Sequence, residues 1–255
     1  MLIQCDAAAL EIRVAAYLSQ DEILIQEIID GVDIHRRNQQ MLKLPGWDIE
    51  DKADPSFKEG RLKAKIFVFR LIYGGSAYSY ANDPDFMNIS KSEKYWQEAI
   101  DLFYSKYKGI KLWHDKLVRE AVERGKVISP TGREYRFEKK YDGTYKDTQI
   151  KNYIVQGTGA DIMALARVSF YNRLKKLGYK ECLLVNTVHD SIVVDMNEKT
   201  CDNKVIAKLF HDVFRDIPAN FEKLFGKPFN VPMTCEVLYG SNWEDMEEIK
   251  EESVC

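Results

Sequence analysis

Arg61, Lys65, Phe69 and Tyr73 stand four residues apart. On a helix of 3.6 residues per turn each step rotates ~40°, so the four cover ~120° of one face and run ~18 Å along it. Cations meet phosphates and aromatic rings meet sugar and base, so this stripe matches a nucleoside triphosphate lying along a helix. The alternative is a helix with solvated cations and core aromatics, but Ile66, Phe67, Val68 and Ile72 already supply apolar surface elsewhere on it. Far apart in sequence, Asp6 and Asp190 each sit where a β-rich run ends or turns, a place that holds a carboxylate rigidly. Mg²⁺ takes a few carboxylates and fills its other positions with water and substrate phosphates. Two aspartates and a cationic, aromatic stripe are therefore the residue types of metal-assisted phosphoryl transfer to a nucleotide.

The elements that must position these groups follow from periodicity. Residues 2–5 begin a strand that leads into Asp6, and Leu10, Val14 and Leu18 then recur at helical spacing. A helix is expected from Phe57 to Ile72, carrying the stripe, with Gly74-Gly75 stopping it beyond Tyr73. Residues 92–124 predict two amphipathic helices parted near Gly109. The flanks of Pro130-Thr131-Gly132 alternate like a hairpin. A long helix is expected from about Lys146 to Leu177, then a hairpin over Cys182 to Met196 with His189-Asp190 at its turn. A helix over 201–215 and a strand from Val231 to Val237 complete the reading.

With 255 residues and 45% apolar content the chain can bury a sizeable core. The formal charge of −3 gives no global basic signature, so nucleic-acid contact must come from local clusters. Five scattered cysteines without C-x-x-C spacing argue against a disulfide framework and a zinc site, and point to a reducing compartment. No apolar run approaches the ~18 residues of a membrane span and the start is too short for a signal peptide, so a cytoplasmic protein without membrane association is expected.

Asp6-Ala-Ala-Ala-Leu-Glu11-Ile-Arg13 resembles motif A of the family A (Pol I-like) DNA polymerases. Arg61-x3-Lys65-x3-Phe69-x3-Tyr73-Gly74 resembles their motif B, and Val188-His189-Asp190 their motif C, in the same order. Asn152-x3-Gln156-Gly157-Thr158-Gly159 is similar to the family's helix against the duplex minor groove, and Gly240-Ser241-Asn242-Trp243 to its carboxyl-terminal signature. The resemblance runs over nearly the whole chain. It implies an α+β fold: a right-hand polymerase palm, an antiparallel sheet backed by helices, over 1–15 and 146–255, and a mostly helical fingers subdomain over 16–145 with the motif B helix at about 57–73.

Carried over residue by residue, the resemblance implies that Asp6 and Asp190 bind two Mg²⁺ ions with the backbone carbonyl of Ala7 as a further ligand. Glu11 is then the steric gate against a ribose 2′-hydroxyl. Arg61 and Lys65 hold the triphosphate, Lys65 also donating a proton to the leaving pyrophosphate. Phe69 packs on the deoxyribose and Tyr73 near the templating base. Arg13, Asn152, Gln156 and His189 belong to the DNA-binding set, and the small Gly157 and Gly159 let backbone approach DNA. The implied partners are primer-template DNA and deoxynucleoside triphosphates.

Some positions depart from the family pattern. Ser191 stands where a glutamate is usual, Ala7-Ala8-Ala9 where an aromatic, a small polar residue and Gln are common, Arg70 where a glycine is usual and Thr148 where an arginine is. The thumb, the first palm segment and an exonuclease-type domain are not in this sequence. The expectation is that a second polypeptide, or an amino-terminal region of a longer chain, supplies them, in a bacterial or phage-infected cell. Two other readings are a catalytically decayed DNA-binding remnant and a single-subunit RNA polymerase-like enzyme. Glu11 opposes the second, because an RNA enzyme needs open space at the ribose 2′ position.

Overall fold

The computed structural model describes residues 1–251. In chain order the elements are β1 (Leu2–Ala7), α1 (Leu10–Ser19), α2 (Glu22–Ile29), α3 (Ile34–Met41), α4 (Pro55–Ile72), α5 (Ala77–Ala81), α6 (Glu93–Lys106) and α7 (Lys108–Arg124). There follow β2 (Lys126–Ile128), β3 (Glu134–Arg136), α8 (Asp147–Leu177), β4 (Cys182–Val188), β5 (Ser191–Met196), α9 (Asn203–Arg215), α10 (Ile217–Phe225), β6 (Cys235–Gly240) and β7 (Glu247–Glu248). They form two compact units. One contains Met1–Arg13, Pro130–Gly132 and the described residues from Gln156 onward; the other contains Val14–Ser129 and Arg133–Val155.

The first unit is built on a five-stranded antiparallel sheet in the order β4-β5-β1-β6-β7. Side chains alternate across a strand, so Ile3, Cys5 and Ala7 of β1 are buried, whereas Leu2, Gln4 and Asp6 point to the other face. α9 packs against β1 and β6, and the rings of Phe170 on α8 and Phe210 on α9 stack at 4.0 Å. Asp202 caps α9 by accepting from Lys204, and Gly226 in left-handed geometry closes α10. The last long strand runs over Cys235–Gly240 rather than Val231–Val237. Pro232 has no N–H to donate to a ladder, so Val231 and Met233 are buried in irregular chain ahead of the strand.

Side-chain caps mark the helix starts of the second unit: Asp21 for α2, Asp33 for α3, Asp54 followed by Pro55 for α4, and Ser92 for α6. Its core is aromatic. Phe67 lies 4.9 Å from Tyr80, which stacks on Trp96 at 5.4 Å, with Phe86 edge-on to Trp96 at 5.0 Å. The Tyr80 hydroxyl, taken out of water, donates to Phe67 O at 2.8 Å. α4 turns Phe57, Gly60, Ala64, Phe67, Val68, Leu71 and Ile72 inward. Gly60 is a position that the periodicity passes over, and a Cβ there would meet Pro45 O at 1.7 Å. α3, α5 and α10 are additions to the sequence reading. No helix among the described residues is long and apolar enough to cross a membrane.

Candidate nucleotidyl-transfer site

In the first unit, the hairpin β4-β5 brings Asp190 to the end of β1. Ser191, the next residue, is the cross-strand partner of Asp6, and Ala7 N–H donates to Asp190 O at 2.9 Å. His189, exposed in the two-residue turn, has φ of 52°. A side chain seldom adopts that left-handed backbone, and it costs on the order of 1 kcal/mol. The Ser191 hydroxyl donates to Val188 O at 3.0 Å, so the residue that replaces the family's glutamate is spent on closing the turn.

Asp6 is half-buried and accepts from Gln4 Nε2 at 2.9 Å. Its carboxyl is held above the ordinary value, first by burial and then by the neighbouring charge of Asp190, against the Gln4 hydrogen bond. No lysine or arginine among the described residues pairs with either carboxylate. Two neighbouring carboxylates without a cation fit a hard divalent ion that keeps water and substrate oxygens in its shell. No cluster of three or more His, Cys, Asp or Glu side chains arranged for a metal occurs among the described residues.

Glu11, half-buried, occupies the first turn of α1. Arg13 donates to Ala8 O at 2.8 Å, to Thr234 Oγ1 at 2.8 Å and to Pro232 O, tying the loop after β1 to the segment that enters β6. Gln156 is exposed on α8. Gly159 is buried on α8, where an added Cβ would lie 3.4 Å from Leu10 Cδ2, an ordinary van der Waals contact.

In the second unit the stripe of α4 runs along the flank of the buried face. Lys65 is exposed, and Arg61, Phe69 and Tyr73 are partly exposed, so the two aromatics are not core. Arg61 Nε donates to Asp33 Oδ2 at 2.7 Å, and Lys65 Nζ lies 5.7 Å from the centre of the Phe69 ring. The start of α3 adds a residue that sequence reasoning missed. His35 meets Phe69 edge-on at 5.6 Å, and its buried Nδ1 has no hydrogen-bond partner among the described residues. Burial and the charges of Arg61 and Lys65 push its pKa down to about 4, with Asp33 opposing them, so the imidazole is neutral at pH 7. Asp33 followed by Ile34 is a helix-start signal, but nothing local shows that this helix packs on α4.

Tyr73 ends α4 and lines a cleft of about 580 Å³ with Arg70, Thr148, Gln149, Asn152 and Tyr153. Arg70, the unusual residue beside Phe69, is paired with Asp83 and with Asp85 at 3.4 Å. Of the expected residues, Asp6, Ala7 and Asp190 are thus drawn together, as are Arg61, Lys65 and Phe69, while Tyr73 and Asn152 share the cleft.

The fold is that of a polymerase domain. It matches the polymerase domain of Pol1 from M. smegmatis, solved with DNA primer-template and dNTP, at a TM-score of 0.76 and 21% identity, over 96% of this chain and 40% of that one. Residues 1–245 match the model of DNA polymerase family A, and the chain belongs to that family. It is 31% identical over 249 residues to DNA polymerase I of Caldicellulosiruptor bescii, 30% over 231 to that of Aquifex aeolicus, and 28% over 250 to the thermostable enzyme of Thermus aquaticus. These alignments take in 95%, 87% and 95% of this chain but 26%, 38% and 27% of the relatives.

Proposed function

We propose that this chain is the palm-and-fingers portion of a template-directed DNA polymerase, adding deoxynucleotides to a primer 3′ end with release of pyrophosphate. The observation that carries the proposal is the pair Asp6 and Asp190, set side by side without a cation at the end of a central strand. The family match, spanning motifs A, B and C, supports it. In this reading the palm covers 1–15 and 146–255 and the fingers 16–145.

Asp6, Asp190 and the Ala7 carbonyl would hold two Mg²⁺ ions. Bound there, the ions would supply Lewis-acid stabilisation of charge on the attacking and leaving oxygens. Arg61 and Lys65 bind the triphosphate, and Lys65 hands a proton to the departing pyrophosphate. Phe69 packs on the deoxyribose, Glu11 fills the space of a ribose 2′-hydroxyl, and Tyr73 lies by the templating base. Arg13, Asn152, Gln156 and His189 serve the DNA, Arg13 by fixing the loop after β1. A second polypeptide or an amino-terminal region contributes thumb, first palm segment and an exonuclease, in the cytoplasm of a bacterial or phage-infected cell.

The test is Mg²⁺-dependent primer extension with deoxy- and ribonucleotides, by the chain alone and with a polypeptide supplying the remaining polymerase parts. Deoxynucleotide incorporation that requires Mg²⁺ is expected. Incorporation under no reconstitution would refute the proposal, and equal use of ribonucleotides would refute the sugar assignment.

A further inference from the structure

Arg61 is held from one edge only. Its Nε donates to Asp33, and neither Nη has a partner among the described residues. A guanidinium is a rigid planar fork, so fixing Nε fixes where the terminal N–H groups point and leaves them free to take phosphate oxygens. Asp33 is itself anchored. Its other oxygen, Oδ1, accepts the Arg36 backbone N–H at 3.0 Å as the N-cap of α3, and α3 packs along α4. Burial opposes ionisation of this carboxyl, but the hydrogen bonds from Arg61 and Arg36 outweigh it and hold the pKa below the ordinary value.

We infer that Asp33 is a positioning residue for the incoming triphosphate, gripping Arg61 by Nε from a capped helix start so that its Nη edge is presented to phosphate. This rests on the reading of Arg61 as a triphosphate ligand. The carboxylate also repels an anionic ligand, so two effects compete and the sign decides between them. Both side chains are 41% exposed; water and salt screen the repulsion, and loss of the grip is the larger effect.

The experiment is fluorescence titration of the full chain, with primer-template DNA and Mg²⁺, by an N-methylanthraniloyl derivative of dATP. Asp33→Ser keeps a hydroxyl that can cap α3 but is too short to reach Arg61. Asp33→Asn keeps the length but has one acceptor oxygen where the carboxylate has two. Both should weaken binding ~10-fold, the loss of one charge-assisted hydrogen bond, with an unchanged thermal midpoint. Neither should weaken it further in an Arg61→Ala background. Unchanged or tighter binding in both variants, or an equal loss with Arg61 absent, overturns the positioning role. Binding that falls on Arg61→Ala but not on Asp33→Ser overturns this inference alone. Binding insensitive to Arg61→Ala and Lys65→Ala overturns the triphosphate reading of the stripe and this inference with it.

Discussion

Asp6 and Asp190 differ from ordinary surface aspartates because, among the described residues, no cation pairs with them. Removing either leaves the strand pairing of β1 intact, since that pairing is made by backbone groups. Asp6→Ala and Asp190→Ala should therefore reduce incorporation by a factor of ~10³ or more, the scale of a lost transition-state charge stabiliser, with an unchanged circular dichroism spectrum. Activity within a few-fold of wild type would sink the assignment. In the proposed reading Glu11 acts by volume, so Glu11→Ala should keep deoxynucleotide use and admit ribonucleotides. The readout is the ratio of kcat/KM for the two sugars, and a constant ratio would remove Glu11 from the gate.

At the scale of elements, α4 depends on one residue that lacks a side chain. Gly60→Ala would gain ~1 kcal/mol in helix propensity, but the new Cβ would lie 1.7 Å from Pro45 O and 2.5 Å from Gln39 Nε2. Backbone cannot yield as a flexible side chain does, so a net loss of about 1–3 kcal/mol is expected from overpacking, read by urea denaturation. A variant as stable as wild type would show that the loop before α4 moves freely.

Where α4 meets α7, the buried His114 has Nε2 3.0 Å from Ile72 O and Nδ1 3.1 Å from the Tyr104 hydroxyl. Burial, helped by the charge of Lys151, pushes its pKa down to about 3 from an ordinary 6.5. Between these values the unfolded chain binds the extra proton. The contribution of His114 is thus fully present above pH 6.5 and is lost as pH falls toward 3. The stability of wild type relative to His114→Gln should shrink steadily over that range, and a pH-independent difference would contradict it.

For the whole molecule, the net charge of −3 offers little attraction to phosphate, and the chain spans only 26–38% of the length of the three relatives described above. Weak DNA binding by the 255 residues alone is therefore expected. Adding a polypeptide that supplies thumb and first palm segment should raise primer extension more than tenfold and give a 1:1 complex by sedimentation. Processive extension by these residues with no added protein would refute the division of labour.

Local chemistry made much of this legible. Four-residue spacing fixed the α4 stripe, the polar pair His189-Asp190 marked its hairpin turn, and a long glycine-tolerant periodic run marked α8, because helix and strand periods are written in neighbouring residues. Pairing across the chain is not. That Asp6 sits opposite Ser191, that α3 lies on α4 and sets Asp33 against Arg61 and His35 against Phe69, and that Gly159 rests on Leu10 are contacts between distant segments. They depend on which apolar faces bury one another, and many arrangements satisfy the same local pattern. Residue types and periods named the chemistry; only tertiary packing decided which side chains stand together to perform it.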